Sequence, residues 1–254
     1  MNRFVSITQA RGGSGLRLAC LRGVPSPWTE AAKGIFYVKG LACQYAAQSK
    51  DEPDGALTAW AGDVGIPVVA YENEKLRTGW AEILLLAERL KPEPALIPQQ
   101  ASERAAMFGL SHEICGEMGF GWAYRLLMIQ QSLGHGSETG FSPSVANYLA
   151  PKYGFNPAHV RTAKARVLDL LRMFSERIAG RRYLLGNSLT ALDIYWATFA
   201  NLIMPLPEAE LPAAPMIRTA YTCHDGEILG AVSDELRALQ RRIYETHLEL
   251  PVPL

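Results

Sequence analysis

The segment Lys91-Pro92-Glu93-Pro94-Ala95-Leu96-Ile97-Pro98 places three prolines within eight residues. Each proline removes a backbone donor and clashes with the turn before it, so no helix crosses this stretch and an extended connector is the conformation left to it. The chain is thereby divided into a first part, 1–91, a linker, 92–99, and a second part, 100–254. A chain of 254 residues is long enough for two domains of ordinary size, each with its own core.

Before the linker, strand and helix signals alternate. Leu16-Arg17-Leu18-Ala19-Cys20-Leu21 alternates apolar and polar at its start and stops at Gly23, as a strand does. Ser26-Pro27 then opens a helix: Ser is a favoured N-cap, Pro suits the first helical position, and Ala31, Ile35, Phe36 and Val38 recur near helical spacing until Gly40. Leu41 to Ala46 reads as a second strand and Leu57 to Trp60 as a short helix or turn. Ile66 to Tyr71 and Lys75-Leu76 read as two strands around a tight turn, and a helix from Thr78 to Leu90 closes this half. The order predicts a small α/β layer structure with helices covering a sheet. Residues 1–14 form an N-terminal extension, in which Phe4 to Ala10 is either an extra strand or a loose arm.

Beyond the linker the signals are helical: Ala101 to about Leu133, Pro157 to Ala179, Thr190 to Ile203 and Ser233 to about His247. In the second of these, Val160, Ala163, Val167, Leu171, Phe174 and Ile178 step by three and four, which marks a buried stripe.

Composition narrows the function. Twenty-five Lys and Arg balance 25 Asp and Glu, and a chain without excess positive charge lacks the usual means of holding nucleic acid. The balance is uneven along the chain: residues 151–182 hold eight bases against two acids, and residues 51–92 hold eight acids against four bases. Such opposite excesses serve docking between domains or subunits, or simply form solvated faces. The four cysteines, Cys20, Cys43, Cys115 and Cys223, lie far apart with no CxxC pair, so neither a metal site nor a disulfide framework is expected. The N-terminus shows no apolar leader, and the longest aliphatic run, Ile83 to Ala87, is far short of the roughly 20 residues that cross a bilayer. A cytoplasmic protein with no membrane partner is expected.

Four stretches are candidates for chemistry. Ser26 puts a hydroxyl at a helix start, where free N–H groups and the helix dipole stabilise an anion such as a thiolate; spacing alone favours an ordinary cap. Ile66-Pro67 is an X–Pro step at a strand start, where a cis bond would leave the backbone of Ile66 open to a ligand, although trans is the commoner state. Arg77-Thr78-Gly79 precedes a helix, with Thr78 as candidate N-cap and the N–H groups beyond it able to receive a carboxylate. Finally, His112, Glu113, Cys115, Trp122 and Arg125 surround Gly116, Gly119 and Gly121. Glycines so closely spaced in a helix indicate a kink or the close approach of another body, either a substrate or, more commonly, a neighbouring helix.

Together with Ser26-Pro27-Trp28, Ile66-Pro67-Val68, the helix ending Leu86-Ala87-Glu88-Arg89-Leu90, the proline linker and the all-helical second half, one more stretch carries a resemblance. Tyr183-Leu184-Leu185-Gly186-Asn187-Ser188-Leu189-Thr190-Ala191-Leu192-Asp193-Ile194 is similar to the capping-box signature of a core helix in the cytosolic glutathione transferases, with Thr190 and Asp193 satisfying backbone donors at a buried helix start. The resemblance runs from about Leu16 over nearly the whole chain. It implies a thioredoxin-like N-terminal domain, an α-helical C-terminal domain, a homodimer, and glutathione as co-substrate with no metal. By the same resemblance Ser26 is the catalytic residue that hydrogen-bonds the glutathione sulfur. Ile66 and Pro67 hold its cysteinyl part, and Arg77, Thr78 and Gly79 lie at the γ-glutamyl end. Trp28, His112, Cys115 and Trp122 line the pocket of a small hydrophobic electrophile. One departure is visible: where the family usually has an acidic residue followed by Ser, this sequence has Thr78-Gly79, which leaves the ammonium group of the γ-glutamyl end without a partner. It supports the other reading, a non-catalytic binding or assembly module of the same fold.

Overall fold

The computed structural model describes residues 4–48, 55–62, 65–135 and 140–254. The first part of the chain forms β1 (Phe4–Val5), α1 (Ile7–Gly12), β2 (Leu16–Ala19), α2 (Pro27–Val38), β3 (Cys43–Ala46), α3 (Ala56–Ala61), β4 (Val68–Tyr71) and α4 (Trp80–Leu90). The sheet order is β1-β3-β2-β4, with β1 and β2 parallel to β3 and β4 antiparallel to β2. Every residue of β2 is buried, as expected for a central strand with both faces covered. On one face Ala19, Ala46 and Val68 pack with Ile7 and Ala10 of α1 and with Leu57 and Trp60 of α3. Strand alternation turns Leu18 to the other face, where α2 and α4 pack together.

The N-terminal extension is not a loose arm. Phe4 and Val5 pair with Tyr45 and Ala46, and α1 starts at a reciprocal Ser6–Gln9 capping box of 3.1 and 3.0 Å. The Phe4 ring lies under two cations, Arg22 at 5.3 Å and Lys33 at 5.9 Å, which fastens β1 to the start of the fold. The expected second strand at Lys75-Leu76 is reduced to a single antiparallel bridge between Val69 and Arg77.

Lys39, the residue after α2, is fully buried. Its ammonium donates to the carbonyls of Lys91, Pro92 and Pro94 at 2.8, 3.0 and 2.8 Å and pairs with Glu88 at 2.5 Å. Glu88 in turn accepts the Leu96 N–H at 2.9 Å. Proline makes the linker rich in unpaired carbonyls, and one lysine gathers three of them. The described chain divides into two compact units at this point, Met1–Leu96 and Ile97–Pro253.

The second unit contains α5 (Ala101–Cys115), α6 (Phe120–His135), α7 (Pro143–Lys152), α8 (Pro157–Ile178), α9 (Ala191–Ala200), α10 (Pro215–Tyr221), α11 (Gly226–Gly230) and α12 (Asp234–His247). The expected long helix from Ala101 to Leu133 is broken in two. Residues 116–119 turn the chain, with Met118 at a φ of 58°, and a side chain on Gly119 would meet the His112 carbonyl at 2.7 Å. A β-carbon on Gly121 would lie 2.4 Å from the Phe199 ring, so the glycines admit a neighbouring helix, α9. That helix is buried along its whole length. At its start the Asp193 carboxylate accepts the N–H groups of Leu184 and Thr190 and the Thr190 hydroxyl at 2.8 to 2.9 Å. The basic excess of residues 151–182 is partly met inside this unit, where Lys164 pairs with Asp225 and Glu227 at 2.7 and 2.9 Å and Arg166 pairs with Glu113.

Lys39→Met leaves the Glu88 carboxylate and three linker carbonyls without their donor, and should lower stability by about 3–5 kcal/mol. Urea denaturation checks this, and adding Glu88→Gln should recover part of the loss. A variant as stable as the wild type would show that the cluster carries no net stabilisation.

Candidate functional site

Strand register gathers three of the sequence candidates at one end of the sheet. Ala19 pairs with Val68, so Pro67 sits beside Cys20, where β2 leads through residues 20–25 into α2. Val69 bridges Arg77, so Thr78 and Gly79 run back along Val68 and Pro67. The start of α2, the Ile66–Pro67 step and the start of α4 therefore share an edge. The Ile66–Pro67 bond is cis.

Ser26 is the N-cap of α2 by position, with an extended backbone (φ −66°, ψ 121°). Its N–H donates to the Val24 carbonyl and its carbonyl accepts the Glu30 N–H, both at 2.8 Å. Its hydroxyl, however, makes no capping hydrogen bond. The side chain is therefore free of the role that spacing alone would assign it. Trp28, in the first turn, is partly exposed.

Beneath this turn lies a pair that the sequence reading passed over. Glu30 and Lys33, each 4% exposed, meet at 3.0 Å. Burial raises the Glu30 carboxyl to about 7, against the pull of Lys33. Burial likewise raises the Cys20 thiol to about 11, which makes it an unreactive thiol next to the candidate site. The signal for the pair was its i, i+3 spacing, but nothing in the pattern distinguishes a buried pair from a solvated one.

At α4 the N-cap is Gly79 rather than Thr78. The Glu82 carboxylate folds back to accept the Gly79 N–H at 3.4 Å and pairs with Lys75 at 3.2 Å, and the Lys75 hydrogen bond is the largest influence holding it below its ordinary range. A carboxylate of the chain itself thus occupies the helix start expected to receive one from a ligand. Arg77 is committed to Glu74 at 2.6 Å, and Glu74 also receives Arg89. Thr78 remains exposed.

A two-unit chain of this kind, with a mixed four-stranded sheet before a wholly helical unit, matches solved structures over most of its length. A glutathione S-transferase domain-containing protein of Marinobacter aquaeolei VT8 is 14% identical with a TM-score of 0.62, covering 91% of this chain and 98% of its own. A theta class glutathione S-transferase of Xanthomonas axonopodis pv. citri, solved with glutathione bound, is 16% identical with a TM-score of 0.58, covering 92% and 94%. The chain has the glutathione transferase fold. A glutathione S-transferase of Rhodospirillum rubrum F11 agrees at 21% identity, with a TM-score of 0.53 and coverage of 88% and 91%. No protein-family model and no curated protein matches the sequence.

Within the glutathione transferase fold, the helical residues singled out from sequence occupy three different surroundings. His112 is exposed at the end of α5. Cys115 is 3% exposed, and burial pushes its thiol well above the ordinary range. Trp122 donates its indole N–H to the Tyr153 carbonyl at 3.2 Å and packs edge-on against the Tyr153 ring at 4.7 Å. Among the described residues no group of three His, Cys, Asp or Glu gathers as a metal site would require.

Because the folded chain holds the Glu30 proton near pH 7 and an unfolded one releases it near 4.5, the contribution of this group to stability is fully present below pH 4.5 and lost as pH rises through 7. Glu30→Gln removes the titration. The melting temperature of the wild type should therefore fall relative to that of the variant between about pH 4.5 and 8. Parallel profiles would show that Glu30 stays ionised throughout.

Proposed function

We propose that the protein is a glutathione transferase-type enzyme, which binds glutathione at the shared edge of the first unit and adds its thiolate to a small hydrophobic electrophile or uses it to cleave one. The observation that carries this reading is the Ser26 hydroxyl, free of capping at the start of α2 and at the same sheet end as Ile66–Pro67. A hydroxyl donating to the glutathione sulfur favours the thiolate over the thiol, and the roughly half positive charge of a helix N-terminus adds to it. The thiolate is the nucleophile: its sulfur forms the new bond to carbon while the displaced group leaves, or a proton is taken up where the electrophile is an activated alkene. The backbone of Ile66 would pair with the cysteinyl part, which holds the sulfur against Ser26. A homodimer in the cytoplasm belongs to the same reading, and no described helix is long and apolar enough to cross a membrane.

A hydrogen bond to a charged group is worth about 1.5–3 kcal/mol, so Ser26→Ala should lower kcat/KM with a general electrophile by about 10- to 100-fold while leaving the melting temperature unchanged. Equal turnover would remove Ser26 from the mechanism.

Glu82 supports a second reading, a non-catalytic module with weak glutathione affinity. Its carboxylate holds the α4 start where the γ-glutamyl carboxylate would go. If the two compete, Glu82→Gln should tighten glutathione binding severalfold in calorimetry. Absence of binding to millimolar glutathione by both wild type and variant would favour the module.

A further inference from the structure

The turn between α7 and α8 gives two nearby aromatic residues different surroundings. Tyr153 is buried against Trp122, whereas Phe155 stays half-buried and lines a cavity of about 430 Å³ between α6 and the start of α8. Leu127 and Gln130 of α6 form one wall, and Pro157, Val160, Arg161 and Lys164 of α8 form the other. Those positions follow the three- and four-residue steps that put side chains on one face of a helix, so the cavity opens where the facing surfaces of the two helices part. Its volume falls in the range of roughly 300–1,000 Å³ that holds small ligands.

Both ends of the cavity are held in place without a ligand. Asn156 caps α8 by accepting the Ala158 and His159 N–H groups, each at 3.0 Å, and the His159 ring meets the Gly154 carbonyl at 3.0 Å, which fixes the turn that carries Phe155. Further along α8, Lys164 is tied to Asp225 and Glu227 of α11 and its cap at 2.7 and 2.9 Å.

Apolar and charged groups are segregated along the cavity. Phe155, Pro157 and Val160 come first in the chain, and Arg161 and Lys164 follow. The Lys164 charge is already met, and its two acidic partners leave one carboxylate in excess at that end. Arg161 makes no hydrogen bond or ion pair among the described residues and belongs to the basic excess of residues 151–182. Its side chain is exposed, so the charge carries no burial cost, and a guanidinium with free N–H pairs takes a carboxylate through two parallel hydrogen bonds. The excess acid beside Lys164 tolerates one negative charge on Arg161 and repels a second. From Pro157 to Lys164 the helix advances about 10 Å at 1.5 Å per residue, the span of an extended chain of about eight carbons.

We propose that this cavity binds a medium-chain alkyl carboxylate, with its chain against Leu127, Phe155, Pro157 and Val160 and its carboxylate on the Arg161 guanidinium. The site lies wholly within the second unit and does not rest on the glutathione reading.

Calorimetric titration of the whole chain at low ionic strength, without glutathione, tests this with sodium octanoate, 1-octanol, octylammonium chloride and sodium acetate as probes. Saturable octanoate binding is expected. Octanol and octylammonium should bind about 10-fold more weakly because they lack the negative charge, and acetate at least about 10-fold more weakly because it lacks the chain. Arg161→Gln should weaken octanoate about 10-fold while leaving octanol unchanged. Arg161→Glu should reverse the preference, so that octylammonium binds more tightly than octanoate. Gln130→Glu, on the facing wall, should weaken octanoate severalfold by repulsion. Arg161 and Gln130 are both exposed, so these variants should keep the wild-type melting temperature. Absence of saturable octanoate binding, octanol binding as tightly as octanoate, or octanoate affinity unchanged in Arg161→Gln would each overturn the proposal. Should an Arg161 variant not fold, the comparison of octanoate with octanol on the wild type and the Gln130→Glu titration decide.

Discussion

A single buried ammonium holds the first unit to the linker that ends it. Lys39 accepts burial only because Glu88 and three linker carbonyls surround it, and those carbonyls are available only because proline has stopped them from entering a helix or a ladder. The contact joins the end of α2, the last turn of α4 and the linker, and so fixes the two helices whose opposite ends face the candidate site. A displacement at Lys39 would be carried along α2 to Ser26, about 20 Å away at 1.5 Å per residue.

The fold was legible where local chemistry decides it. Ser26-Pro27, Thr190 with Asp193 and Ser233 mark helix starts that the chain adopts, and the stripe from Val160 to Ile178 is buried as its spacing requires. The single helix expected from Ala101 to Leu133 is two helices parted at residues 116–119, while the neighbouring helix that the closely spaced glycines point to is present as α9. The spacing leaves open which groups come close, and these are the His112 carbonyl against Gly119 and the Phe199 ring against Gly121. The short helices α7, α10 and α11 were missed because they contain too few turns for an apolar period to emerge.

The candidate site was legible in part. Ser26, Ile66, Pro67, Thr78 and Gly79 were visible from helix-start and proline chemistry, but their common edge depends on strand register, which pairs residues about fifty apart. Glu82 was visible only as a helix residue, and its place on the α4 start comes from a fold-back that sequence does not encode as a pattern. Burial decides the chemistry of Glu30 and Cys20, and burial is a property of the assembled unit.

The first strand has a consequence for how copies of this chain could meet. Without it, β3 would offer an edge of four residues to any passing strand. With Phe4 and Val5 in place, Tyr45 and Ala46 are covered, and the described edge is split between the two residues of β1 and Cys43-Gln44 of β3, each too short a template for another sheet to extend. The extension therefore staggers this side of the sheet and disfavours β-addition there.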